Sequence, residues 1–123
     1  MVQSLPTQAN STDTASLQWT TVCTLKAIAP NTGVNALVGS DQVAVFRIGE
    51  TDEVYAVSNF EPFSKAYVLS RGIVGDRAGI LKVASPIYKQ NFNLKTGECL
   101  DDETVTIPVY PARVVDGTVQ VAG

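Results

Sequence analysis

The most informative absence in this 123-residue sequence is histidine, of which there is none. Without imidazole, nucleophile systems of the Ser-His-Asp and Cys-His types are excluded. Zinc, iron–sulfur and haem sites that use histidine ligands are excluded for the same reason. Any acid–base catalysis therefore falls to carboxylate, lysine or tyrosine side chains.

Cysteine and clustered positive charge are also scarce. The two cysteines, Cys23 and Cys99, are too few for a disulfide framework and favour two reduced thiols, with one disulfide as the alternative. The net charge is −3, and the nine Lys and Arg residues are spread along the chain rather than grouped. Nucleic acids and anionic membranes select a clustered basic face, so we expect neither as a partner.

Long hydrophobic runs are missing as well. No stretch approaches the roughly 18 apolar residues that span a bilayer, and the N-terminal segment has neither the cationic start nor the apolar run of a signal peptide. We therefore expect a soluble, cytoplasmic protein. Residues 1–16 are rich in Ser, Thr, Gln and Asn, which predicts a flexible tail before one domain at residues 17–123.

The rest of the sequence is a succession of short strands and turns. LQWTTVCTL (residues 17–25) alternates as a half-buried strand does, which places Trp19, Thr21 and Cys23 on one face. No window carries a long helical period, and the nearest, residues 63–70, predicts one or two helical turns. The predicted class is all-β, compatible with a small sandwich or barrel.

Hairpin and glycine signals refine this prediction. Strands are expected at residues 42–48 and 54–57, joined by a turn, and the Asp116-Gly117 step in VVDGTVQV is a strong two-residue hairpin signal. The glycine-rich GIVGDRAG (residues 72–79) matches no phosphate-binding motif, so we predict a loop between strands with glycine at positive φ.

Two polar clusters are candidate binding sites. GECLDDE (residues 97–103) supplies oxygen ligands that Ca²⁺ or Mg²⁺ accept, but its spacing matches no EF-hand loop, so a solvated acidic turn is favoured. Two Lys–Tyr sets offer either an anion-binding surface or packed rings with solubilising amines. The residues of these sets are Lys65, Tyr67, Tyr88 and Lys89.

Two loops carry a family resemblance. NFEPFSKAYVLSRG (residues 59–72) and VASPIYKQNFNLKTGE (residues 83–98) each contain an X-Pro step with an aromatic residue close by. With the closing TIPVYPARVVDGTVQV, they resemble the two cluster-binding loops and the final hairpin of a Rieske iron–sulfur domain. In that family two thiolates and two imidazoles hold a [2Fe–2S] cluster. The resemblance implies a Rieske-like (ISP domain) fold of short antiparallel strands in small sheets.

The resemblance also implies that this chain binds no cluster or other cofactor. It places the four ligand positions on residues that do not ligate iron in Rieske proteins, namely Glu61, Phe63, Ser85 and Tyr88. Pro62 and Pro86 keep the loop shape. We expect Phe63 and Tyr88 to fill the volume of the cluster, with Glu61 and Ser85 hydrogen-bonded around them.

The block SPIYKQNFNLKTGECLDD (residues 85–102) is similar to one subfamily, the small subunit of cytoplasmic assimilatory NAD(P)H-dependent nitrite reductase. Membership implies a large partner subunit with FAD, an iron–sulfur cluster and sirohaem, which reduces nitrite to ammonium in nitrate assimilation. The small subunit then contributes no catalytic residue. We expect it to contact the partner through the exposed ends of the two loops, at Pro62, Tyr67, Ile87 and Lys89.

Two alternatives stay open at this point. The first is a cluster-free binding module of another oxidoreductase. The second is a small enzyme that uses carboxylates such as Glu61 or those of residues 98–103. The absence of histidine weighs against the second alternative.

Overall fold

The computed structural model describes residues 17–123, and the predicted tail at residues 1–16 lies outside them. The all-β class is confirmed, because short strands dominate and the helices are two single 3₁₀ turns at Leu25–Ala27 and Leu69–Arg71. The strands are β1 (Trp19–Thr24), β2 (Gly33–Val38), β3 (Asp41–Arg47), β4 (Val54–Ser58), β5 (Phe60–Glu61), β6 (Ala66–Tyr67), β7 (Ile73–Arg77), β8 (Ile80–Ala84), β9 (Asn91–Asn93), β10 (Val109–Tyr110), β11 (Ala112–Val115) and β12 (Thr118–Ala122).

The strands form four antiparallel sheets. The largest has the order β10-β4-β3-β2, and a second sheet has the order β1-β12-β11. A third sheet, β7-β8-β9, and the two-stranded β5-β6 carry the loops of interest. No helix within residues 17–123 is long and apolar enough to cross a membrane.

Strand β3 is buried on both faces and divides two hydrophobic cores. Its continuous apolar run is typical of a strand covered on both sides. Val43 and Val45 face the base core, where strands of the β1-β12-β11 sheet also pack. Ala44 and Phe46 point the other way, into the loop core, which contains Val83 of β8 and further side chains below the loops. The sheet containing β3 therefore fixes the loop-bearing sheet relative to the base.

The predicted hairpins are confirmed. Strands β3 and β4 pair antiparallel from Val43 opposite Ser58 to Arg47 opposite Val54. Strands β11 and β12 pair around Asp116 and Gly117, both at positive φ (51° and 75°), as a two-residue hairpin turn requires.

The predicted alternation in β1 is wrong at one position. The register between β1 and β12 shifts between Thr21 and Cys23, which marks a bulge at Val22. A bulge adds one residue to one strand and moves the following side chains to the other face. Thr21, just before the bulge, is exposed, whereas Trp19 and Cys23 are half-buried.

Two further predictions are corrected by strand pairing. The helical turns expected at residues 63–70 are absent, since β6 pairs with β5 and only Leu69–Arg71 forms a 3₁₀ turn. The glycine-rich segment 72–79 is not a loop, because Ile73–Arg77 forms β7 along the whole of β8. Of its three glycines only Gly79, in the β7–β8 turn, has positive φ.

Candidate functional site

The two loops end in turns of the same shape, at residues 61–65 and 85–89, and we call these two turns the tip. In the first, the N–H of Lys65 donates to the Glu61 carbonyl at 2.7 Å. In the second, the N–H of Lys89 donates to the Ser85 carbonyl at 3.2 Å. Each turn thus spans five residues, begins with an X-Pro step and closes with an i to i+4 hydrogen bond.

The first residue of each turn also caps the turn with its side chain. Glu61 Oε2 accepts the backbone N–H groups of Phe63 and Ser64, the latter at 3.2 Å. Ser85 Oγ accepts the N–H of Ile87 at 3.3 Å. Proline in the second position supplies no N–H and presets φ, which leaves these amides as the donors of the turn.

One hydrogen bond joins the two turns. Ser85 Oγ donates to Glu61 Oε1 at 2.8 Å, and both side chains are completely buried. A buried polar group is costly unless it is hydrogen-bonded. Each turn therefore supplies a hydrogen-bond partner that a buried side chain of the other turn needs. The hydrogen-bonding role expected for Glu61 and Ser85 is therefore confirmed. A carboxylate without solvent access also does not reach a substrate, which argues against Glu61 as a catalytic group.

The two aromatic residues expected to fill the centre of the tip behave differently. Phe63 is half-buried and packs against the loop core, with its ring centroid 6.2 Å from that of Phe92. Tyr88 is 59% exposed, so the expectation that it fills the interior is wrong. Its position follows Ile87 at the outer end of the second turn, where the chain faces solvent.

Three large apolar or aromatic side chains in or directly after the two turns are exposed. Tyr67, Ile87 and Tyr88 are 55%, 45% and 59% exposed. Large exposed apolar side chains grouped on one surface are typical of protein-binding sites. Pro62 is half-buried and Lys89 is exposed beside these residues in the same two loops.

A groove adjoins this surface on the side of the first loop. Phe60 and Tyr67 are opposite each other in β5 and β6, with ring centroids 5.1 Å apart and planes tilted by 60°. They line a surface cavity of about 330 Å³ together with Pro108 and Tyr110. Tyr67, which lies on β6 directly after the first turn of the tip, therefore forms part of the wall of a groove.

The bases of the two loops are anchored by polar side chains that the sequence did not single out. Asn59 is buried, and its Oδ1 accepts the N–H of Ser70 at 2.7 Å. At the second loop, Asp101 Oδ2 accepts the backbone and side-chain N–H groups of Asn91 at 2.7 and 2.9 Å. These bonds from Asn91, together with the Arg77 guanidinium 3.2 Å away, hold the pKa of Asp101 below its usual value.

The acidic run at residues 97–103 makes local contacts. Asp102 Oδ1 accepts the N–H and hydroxyl of Thr104, and Asp101 is occupied as described above. Among residues 17–123 no group of three or more His, Cys, Asp and Glu side chains is placed to hold a metal ion. The geometry supports the interpretation as an acidic turn.

The comparison with family models identifies the fold. Residues 18–122 match the model of the Rieske-like [2Fe-2S] domain. A Salmonella typhimurium protein, the small subunit of NADH-dependent nitrite reductase, is 49% identical over 106 residues, which cover 86% of this chain and 98% of that one. The chain belongs to the Rieske-like family, in the group of nitrite reductase small subunits.

A solved structure agrees with this assignment. A Mycobacterium tuberculosis chain described as the small subunit of an NADH-dependent nitrite reductase superposes on the Rieske-like domain with a TM-score of 0.83. The two sequences are 51% identical, and the match covers 87% of this chain and 96% of the other.

A third relative links this Rieske-like domain to a larger polypeptide. The Klebsiella oxytoca large subunit of NAD(P)H nitrite reductase is 43% identical over 103 residues, which cover 84% of this chain but 11% of that protein. In that enzyme, a domain similar to most of this chain is part of the large polypeptide.

The residues of the tip do not fit the [2Fe–2S] cluster after which the family is named. Two thiolates and two imidazoles hold a Rieske cluster, whereas this chain has no histidine. Both cysteines are free, with half-buried Cys23 on β1 and buried Cys99 opposite Phe92. The oxygens of Glu61 are already taken by three donors within the tip.

Sequence reasoning missed some residues of the site because their contact partners lie several residues away along the chain. Phe60 was not predicted as a partner of Tyr67, since that contact depends on the β5–β6 pairing. The role of Asn59 depends on an amide 11 residues further along the chain. An Asn that follows a strand is a recognisable turn signal, but its partner is not readable from spacing.

The joining hydrogen bond yields a direct prediction. Replacing Glu61 by Ala leaves two amides and the Ser85 hydroxyl without an acceptor, so the free energy of unfolding should fall by about 2–4 kcal/mol. Glu61→Gln is the matched control: its amide oxygen still accepts from the turn, and its NH₂ group donates to Ser85 Oγ. We expect that variant to lose less than about 1 kcal/mol in urea denaturation. Equal losses in the two variants would contradict this account of the tip.

Proposed function

We propose that this chain acts in the cytoplasm as the non-catalytic small subunit of an assimilatory NAD(P)H-dependent nitrite reductase. The observation that carries the proposal is the Klebsiella oxytoca large subunit, which contains a domain similar to this chain. When two chains of one assembly occur elsewhere as one polypeptide, their physical association is the simplest explanation. The partner subunit would carry FAD, an iron–sulfur cluster and sirohaem, and with them the electron transfer to nitrite.

The surroundings of the carboxylates in the described part of the chain support a role in assembly. Glu61, the one carboxylate in the tip turns, is buried and fully hydrogen-bonded. The acidic side chains of residues 97–103 contact their own turn and β9. A domain of this kind contributes by docking, by excluding water from a redox centre or by orienting domains of the partner.

We place the docking surface at the tip, on Pro62, Tyr67, Ile87 and Lys89. Tyr67 and Ile87 are among the large apolar side chains most exposed to solvent within residues 17–123. Aromatic residues commonly supply the binding energy of interfaces because they bury much area at little conformational cost. The tip is also held in one shape by the bond between Glu61 and Ser85, so little entropy is lost when it binds.

We also propose that the chain carries no [2Fe–2S] cluster. Phe63 packs on Phe92 where ligands of a cluster would be required, and the side chains of Glu61 and Ser85 bond to each other. The fold is therefore supported by apolar burial and hydrogen bonds at a place where relatives of the wider family use metal ligation.

Metal content is the first test. Protein purified anaerobically should contain iron far below one atom per chain and show no visible absorption from sulfide-to-iron charge transfer. Incubation with Fe²⁺, sulfide and thiol should leave the thermal midpoint unchanged. A cluster that does not bind the folded chain cannot stabilise it. Two irons per chain with a visible spectrum would refute the cluster-free proposal.

Docking is tested with single alanine variants of the apolar tip residues. Tyr67→Ala and Ile87→Ala should each weaken binding to the large subunit by about tenfold, a typical loss for an interface anchor. Leu37→Ala is the matched control, since Leu37 is 65% exposed but lies on β2 in a different sheet. Affinity is measured on purified subunits, and NADH-dependent nitrite reduction is followed with and without the small chain.

The outcomes separate the proposed role from its alternatives. Unchanged binding of both tip variants, with weakened binding of the Leu37 control, would move the docking surface away from the tip. If the wild-type chain neither binds the large subunit nor changes its activity, the result would favour the alternative, a binding module of another oxidoreductase.

A further inference from the structure

We infer that Lys65 and Lys89 form a two-point cationic clamp that binds carboxylate groups on the surface of the large subunit. The inference rests on the proposed function and names the charge that the docking surface of the partner should carry. It is supported by backbone conformation, by the geometry of the two turns and by the distribution of charge.

Both lysines occupy a backbone conformation that side chains disfavour. Lys65 has φ of 58° and Lys89 has φ of 67°, in the left-handed region. Glycine occupies that region at no steric cost, and Asn and Asp tolerate it, as at Asn31 and Asp116 of this chain. Lysine has no such advantage, so these two positions carry strain that a glycine would relieve. Strained backbone at a surface is an indication of function when the side chain has no structural use.

Neither lysine has a strong partner in the described structure. Both side chains are exposed, and the ion pair found within residues 17–123 joins Arg77 and Asp101 instead. Lys89 Nζ approaches the carbonyl of Pro86 at 3.5 Å, which is the outer limit of a hydrogen bond. The fold therefore has no evident need for an ammonium group at either position.

The two lysines occupy equivalent places in the tip. Each is the fifth residue of its turn, and each donates its N–H to the first residue, Glu61 or Ser85. Because those first residues are hydrogen-bonded to each other, the two turns that carry the lysines are held together. Two cations on joined turns bind a pair of anions with less loss of entropy than two cations on independent loops.

The charge of the loop-bearing part of the chain differs in sign from the rest. Residues 59–98, which span the two loops, contain six of the nine Lys and Arg residues but three of the twelve Asp and Glu residues, a net charge of +3. The remaining sequence has three basic and nine acidic residues, a net charge of −6. Two thirds of the basic residues therefore lie in this span. Of its three acidic residues, Glu61 is buried, Asp76 lies on β7 outside the tip, and Glu98 accepts the hydroxyl of Thr96.

The nearest acidic run offsets part of this positive charge at Arg77 and not at the tip. Asp101 of this run accepts hydrogen bonds from Asn91 in the second loop and forms an ion pair with Arg77. The tip thus offers two free ammonium groups next to apolar anchors. Charge pairs at the rim of an interface act mainly on the association rate and give it a steep salt dependence.

The test replaces each lysine by glycine. Lys65→Gly and Lys89→Gly should each raise the thermal midpoint of the free chain by about 2–5 °C, because the strain at positive φ is removed. The same substitutions should weaken binding to the large subunit about threefold to tenfold at low ionic strength, chiefly through slower association. The loss should disappear in about 0.5 M salt. Lys→Arg at both positions should retain the affinity.

Ala78→Gly is the matched control. Ala78 has φ of 52° in the exposed turn between β7 and β8. This turn lies at the end of the β7–β8 hairpin that is remote from Ser85 and the second loop. Its replacement should raise the thermal midpoint similarly and leave binding unchanged, so stabilisation alone is separated from loss of charge.

Each other outcome overturns the clamp. Gly variants that bind with unchanged affinity, while Tyr67→Ala binds weakly, would show docking at the tip without the lysines. A fall in the thermal midpoint of the Gly variants would show that the lysines serve the fold. A loss of affinity that persists in high salt would show that charge is not its cause. If no tip variant, including Tyr67→Ala, binds more weakly, the docking site itself is wrong.

Discussion

The hydrogen bond from Ser85 to Glu61 is the constraint on which the tip depends. It is the one side-chain bond between the two turns, and both of its groups are shielded from water. Each turn caps itself with the same side chain that reaches across to the other. Removal of either residue therefore disturbs both loops, as removal of a metal ligand would in a cluster-binding relative.

The body of the domain makes this arrangement rigid. Strand β3 contributes alternate side chains to the base core and the loop core, so this central strand is packed on both faces. Phe92 is completely buried in the loop core, and Phe63 packs against it from the first turn. Burial of one phenylalanine contributes about 1.5–3 kcal/mol. Packing and hydrogen bonds thus achieve the preorganisation that a docking surface requires.

A docking subunit explains features that a catalyst would not. The exposed apolar residues Tyr67 and Ile87 and the strained lysines carry no benefit for the isolated chain. Apolar exposure and backbone strain lower stability or solubility unless a partner compensates for them. These residues lie in or next to the two turns that the Glu61–Ser85 bond joins, and the covalent arrangement in the Klebsiella oxytoca relative is consistent with a docking role.

Local signals predicted much of the fold but little of the site. The hairpins at Asp116-Gly117 and between β3 and β4 were predicted because turn chemistry and hydrophobic pattern act over a few residues. The strand β7 was mistaken for a loop because its glycines favour turns, whereas pairing with β8 decides its conformation.

In the site, the positions of Glu61 and Ser85 and a hydrogen-bonding role for both were expected from the family resemblance, but the bond that joins them was not. The exposure of Tyr88 was not foreseen, because a family pattern gives the place of a residue in the chain but not the direction of its side chain. The five-residue turns and their positive φ values were likewise invisible, since lysine is an unusual residue for that conformation.

The central claim is that the tip faces the partner, and hydrogen exchange tests it most directly. Amide exchange of this chain is compared with and without a saturating amount of the large subunit. We predict slower exchange in peptides that contain residues 61–67 and 85–90, with little change in β1 and β12. Protection confined to the β1-β12-β11 sheet, or no protection anywhere in a complex that demonstrably forms, would contradict the account.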